Sequence, residues 1–100
     1  MKNLIIGFDP GLNNTGWGII ENLSNSEKYV NHGLISTKKD ISLGQRLNII
    51  YEGVSELFLK YSPESIAVEK IFSNKNPQST LKLGKARAII FLVAARFKVE

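Results

Sequence analysis

The sequence contains no cysteine, which excludes disulfides, thiolate zinc sites, iron–sulfur clusters and cysteine nucleophiles. Its only histidine, His32, falls in a strand pattern and reads as structural. The longest unbroken apolar run, residues 88–95, is too short to cross a bilayer. The apolar stretch near the N-terminus has no small-residue cleavage site and runs straight into a turn, so it does not read as a signal peptide. The expected compartment is cytoplasmic, with no membrane partner. What remains is 100 residues, 43% hydrophobic and 22% charged, the composition of a soluble globular chain. That length can bury a core without a structural metal.

Charge is divided unevenly along the chain. Residues 1–69 carry six Lys or Arg against eight Asp or Glu, whereas residues 70–100 carry seven against Glu100 alone. Such asymmetry points to an anionic partner met by the second segment, most simply nucleic acid, although a solvated helix face has the same composition.

Residues 4–8 form a continuous apolar run ending at Asp9-Pro10-Gly11, the pattern of a strand covered on both faces and followed by a turn. Residues 15–20 and 28–36 supply two further strands, and three in succession make an antiparallel meander. Ser42 with Gln45 three residues on is a capping box. Leu43, Leu47, Ile50, Val54, Leu57, Phe58 and Tyr61 then fall on one helical face, which Ser62-Pro63 terminates. Residues 65–68 are a short buried strand finishing at Glu69. A second helix is expected from Pro77, capped by Asn76, to about Arg96. Its apolar part, residues 88–95, is expected to be buried on more than one side, one of them a partner subunit.

The order is therefore β-β-β-α-β-α, an α/β chain with a mixed sheet. The helical crossover brings the Glu69 strand parallel to the first strand. Asp9 and Glu69 would then converge at the carboxyl edge of the sheet, where open α/β sheets bind ligands. Two carboxylates without Cys or His nearby are hard oxygen donors suited to Mg²⁺, with Mn²⁺ as the alternative, and to phosphoryl chemistry. Each has a plainer reading: Asp9 as a turn residue, Glu69 as the partner of Lys70 or Lys75 in a salt bridge.

The segment Gly7-Phe8-Asp9-Pro10-Gly11-Leu12-Asn13-Asn14-Thr15-Gly16-Trp17-Gly18-Ile19 resembles the RuvC family of crossover (Holliday) junction endonucleases. So do Val68-Glu69 followed by Ile71-Phe72, and the basic run Lys75-Asn76 through Ser79, Lys82, Lys85 and Arg87. The resemblance is collinear over essentially the whole chain. It implies an RNase H-like fold and a dimer that resolves four-way junctions in recombination and repair by metal-dependent phosphodiester hydrolysis, with a branch-migration motor as a further partner. It makes Asp9 and Glu69 metal-binding catalytic carboxylates, Phe72 an aromatic that stacks on a base, and Lys75 a basic group near the scissile phosphates. Phe72 also reads as a core residue. Asn76, Ser79, Lys82 and Lys85 would meet the nucleic-acid backbone on the first turns of the last helix. Arg87 serves either there or as an anchor for the helix. The Lys38-Lys39-Asp40 turn reads as solvated.

One departure accompanies the resemblance. The family has two further acidic residues on a final helix beyond a last strand, and this sequence ends at Glu100 before either. The expectation is thus an RNase H-like domain over residues 1–100, incomplete at its C-terminus, with one open sheet edge and weak or no cleavage by this form. Two other readings are a non-catalytic binder of branched nucleic acid and an actin-like or sugar-kinase-like phosphate-binding module.

Overall fold

The computed structural model describes residues 3–70 and 77–99, with side chains of the last helix from Leu81 onward. Strands β1 (Leu4–Asp9), β2 (Asn14–Asn22) and β3 (Glu27–Ser36) form the meander. Helix α1 (Leu43–Tyr61), strand β4 (Ser65–Val68) and helix α2 (Pro77–Arg96) follow. The sheet order is β3-β2-β1-β4, with β1 antiparallel to β2 and parallel to β4. This is the mixed α/β sheet that the element order predicts.

Local chemistry sets the boundaries. Ser42 Oγ accepts the Gln45 N–H at 3.2 Å while Gln45 Oε1 accepts the Ser42 N–H at 3.2 Å, so both halves of the capping box form. At the other end Ser62 adopts the left-handed conformation (φ 46°, ψ 59°) and donates its N–H to the Phe58 carbonyl at 2.9 Å. Pro63 cannot continue a helix, and Glu64 then donates to the Leu4 carbonyl at 2.9 Å, which starts β4 in register on β1.

Both helices pack on one face of the sheet. Leu4, Ile6, Phe8 and Ile19 on the strands meet Ile50, Val54, Leu57 and Phe58 of α1 and Ala86, Ile90 and Val93 of α2 in one core. Burying each large apolar side chain contributes about 1.5–3 kcal/mol. The expectation that residues 4–8 are covered on both faces is therefore corrected. Ile5 and Gly7 lie on the opposite face and are only half-buried by the described residues, because α1 and α2 share a side. Leu43 is likewise exposed, since the core contacts of α1 begin one turn further along the helix at Leu47. Among the described side chains of α2, Ala86, Ile90, Val93 and Ala94 are buried, whereas Phe91 and Leu92 are exposed at 44% and 49%. Among the described residues no helix is long and apolar enough to cross a membrane.

Candidate active site

Asp9 is the last residue of β1 and lies opposite Gly16 of β2. Pro10 has no N–H to extend the ladder, so the strand stops there. The turn that follows is held from within. Thr15, fully buried, donates its hydroxyl to the Gly11 carbonyl at 2.8 Å and accepts the Gly11 N–H at 3.3 Å. A Cβ on Gly11 would stand 2.3 Å from the Asn14 carbonyl oxygen, so only glycine fits this close approach.

Glu69 directly follows β4, and its N–H donates to the Phe8 carbonyl at 3.1 Å. Neighbouring strands lie about 4.8 Å apart, and this register sets Glu69 beside Asp9, both exposed. The two carboxyls come within hydrogen-bonding reach. That bond, then the Asp9 charge, then partial desolvation hold the Glu69 carboxyl above its ordinary pKa. Like charges are thus crowded together, the situation that a divalent ion relieves.

The surrounding surface is open. Gly7, Gly16, Gly18 and Ala67 line a shallow depression of about 520 Å³ that ends at Asp9 and Glu69. With side chains this small, an extended ligand can approach the backbone and reach the carboxylates. The donor set is all oxygen and fits Mg²⁺ or Mn²⁺ as part of a coordination sphere. Among the described residues no third His, Cys, Asp or Glu joins the pair.

Of the other sequence-predicted residues, Phe72, Lys75 and Asn76 lie outside the described residues, as does the expected capping role of Asn76. Ser79 lies within α2, and its side chain is not among those described. Lys82 and Lys85 are exposed on the same helix one turn apart. Arg87 anchors α2: its Nε donates to the Glu69 carbonyl at 3.3 Å and its guanidinium lies 4.7 Å from the centre of the Phe91 ring. His32 lies opposite Gly18 on β3, two strands from Asp9, and hydrogen-bonds Tyr29 Oη at 2.6 Å through Nδ1. Lys39 and Arg46, which the sequence reading did not select, join Lys82 around a second pocket of about 580 Å³. No spacing rule links three residues drawn from a turn and two different helices. Only the folded arrangement brings them together.

A parallel-paired strand-end carboxylate dyad beside a meander defines a class of α/β domains suited to divalent cations and phosphoester chemistry. Residues 5–100 match the family model described as crossover junction endodeoxyribonuclease RuvC, and this chain belongs to that family. The chain is 49% identical over 92 residues to the crossover junction endodeoxyribonuclease RuvC of Sinorhizobium medicae, covering 92% of this chain and 55% of that protein. It is 50% identical over 90 residues to the protein of the same name from Wolbachia pipientis, covering 89% and 54%. It therefore spans about half the length of the curated relatives it matches. A solved structure of T. thermophilus RuvC in complex with a Holliday junction substrate superposes with a TM-score of 0.87 at 22% identity, over 97% of this chain and 60% of that one. The fold is the RNase H-like fold of RuvC.

Proposed function

We propose that this chain supplies the strand-end carboxylates and a backbone-binding helix of a metal-dependent endonuclease that resolves four-way DNA junctions. The observation that carries the reading is the convergence of Asp9 and Glu69, exposed at the end of an open small-residue depression, in a chain of this family. Asp9 and Glu69 would hold Mg²⁺ or Mn²⁺. A bound ion there would supply polarisation of the phosphodiester, a lowered pKa for the attacking water and charge neutralisation at the leaving oxygen. The residues of the chain position these reactants: Thr15 fixes the turn after Asp9, and Arg87 ties the Glu69 carbonyl to α2. Junction selectivity would come from shape and phosphate contacts, with Lys82 and Lys85 on the backbone and Phe72, Lys75, Asn76 and Ser79 completing the surface.

The exposed Phe91 and Leu92 on α2 support a homodimer, whose two sites would match a two-fold symmetric junction. A branch-migration motor partner and a cytoplasmic location rest on family resemblance.

Mn²⁺ titration and a gel-shift competition test the reading together. Mn²⁺ is expected to broaden the amide signals of Gly16 and Gly18 selectively, and Asp9→Asn to remove the effect. Without divalent ion, a four-way junction is expected to outcompete linear duplex for the wild type, Asp9→Asn and Glu69→Gln alike. Wherever the wild type cuts, both variants should be inactive. Loss of junction binding in the variants would sink the metal-ligand assignment.

A further inference from the structure

The pocket on the far side of the Pro10-Gly11 turn is built from three separate segments. The turn between β1 and β2 forms one wall, the Lys39 turn and Arg46 of α1 the second, and Lys82 of α2 the third. Arg46 is held in place: its Nε donates to Thr37 Oγ1 at 3.0 Å, and its Nη2 donates to Asn13 Oδ1. Neither partner is charged, so these bonds orient the guanidinium without neutralising it.

Five acceptors of the turn are engaged by neighbouring donors. The Gly11 carbonyl takes the Thr15 hydroxyl, the Leu12 carbonyl takes the Thr37 hydroxyl at 2.6 Å, and the Asn13 carbonyl takes the Thr37 N–H at 2.9 Å. The side-chain oxygen of Asn13 is bound by Arg46, and that of Asn14 by Ser36 Oγ at 2.7 Å. The walls carry donors beside them: two asparagine amides, the remaining guanidinium N–H groups and two ammonium groups. A pocket that gathers an oriented guanidinium and two ammonium groups, with these turn acceptors engaged elsewhere, is complementary to a tetrahedral oxyanion.

We propose that this pocket is a phosphate-binding subsite that grips a DNA backbone phosphate away from the reacting one. The DNA assignment rests on the function proposed above. Gly11, in the pocket wall, lies within about 7 Å of Asp9 along the chain, so the gripped phosphate is a few nucleotides at most from the scissile one. Lys39 thereby gains a role that its sequence context hides, and Lys82 binds here together with Arg46.

The test measures junction affinity against salt for the 100-residue chain and separately titrates inorganic phosphate while recording amide NMR shifts. For Lys39→Gln/Lys82→Gln, the slope of log affinity against log salt is expected to fall by about 1 and affinity by about tenfold. Arg46→Lys should keep the slope but weaken binding, because a point charge replaces a fork. Lys28→Gln, at the opposite end of the sheet, should change neither. Inorganic phosphate is expected to shift Asn13, Asn14, Lys39 and Lys82 saturably in the wild type and not in the double variant. If the wild type bound no DNA but phosphate still saturated these residues, the functional reading would fail and the subsite would stand. An unchanged salt slope in the double variant, with no saturable phosphate shift, would overturn the subsite itself.

Discussion

The two faces of the sheet are made from alternate residues of the same strands, yet they do different work. On one face Leu4, Ile6, Phe8 and Ile19 disappear beneath α1 and α2. On the other, Gly7, Gly16, Gly18 and Ala67 leave a bare surface ending at Asp9 and Glu69. One step along β1, from Phe8 to Asp9, passes from a side chain 4% exposed to an exposed carboxylate. Cohesion is concentrated on the packed face, while the candidate site lies where side chains are smallest and like charges are crowded. A strand can serve both ends because its side-chain period is two.

The sharpest demonstration of that division is Phe58→Ala. Phe58 is buried in the core and packs against Phe97 with ring centres 5.4 Å apart and planes tilted by 39°. Its truncation is expected to cost about 3–5 kcal/mol in chemical denaturation.

Thr15 is where the division breaks down. It is fully buried on the packed side yet holds the turn after Asp9. Thr15→Val keeps the shape and removes the hydroxyl, leaving Gly11 groups unsatisfied, so a loss of about 1–2 kcal/mol is expected. Amide exchange at Gly11 should accelerate more than exchange at Ile6. Equal acceleration would mean that the hydroxyl serves the core and not the turn.

The smallest effect is expected at Glu69, with the opposite sign. Its folded-state pKa is raised by Asp9, so the folded chain binds the proton more tightly than the unfolded chain does. That contribution is fully present below the unfolded pKa of about 4.5 and is lost as pH rises through the raised value. Glu69→Gln removes the repulsion. Its Tm is therefore expected to lie slightly above wild type at pH 7, with the gap closing below pH ~4. A variant less stable than wild type at neutral pH would show that Glu69 is held by a compensating cation or donor.

The sequence made some of this arrangement readable and hid the rest for physical reasons. Ser42 with Gln45, Ser62-Pro63 and Pro77 mark helix boundaries by local hydrogen-bonding chemistry, which survives translation into three dimensions. Asp9 and Glu69 were legible as a pair because each ends an apolar run, and a crossover makes such runs parallel neighbours. Which side of the sheet the helices would occupy was not legible. A short apolar run such as residues 4–8 has the same pattern whether one face or both are covered. Lys39 was hidden because its turn is polar, and polarity alone does not separate a solvated lysine from one lining a pocket. Arg46 occupies a polar position on an amphipathic helix, and its bonds to Thr37 and Asn13 join segments with no periodic relation.

The topology also bears on the order in which the molecule is assembled. β1, β2 and β3 zip together through two turns, whereas the ladder between Ile5 and Ser65 must close across the intervening hairpins and α1. Loop closure costs entropy that grows with length, and contacts between distant positions slow folding. The carboxylate pair is thus expected to be among the last features to form, with Glu69 arriving only when β4 docks. A cation recruited by both carboxylates would therefore bind the finished fold, discriminating complete molecules from partly folded ones instead of nucleating them.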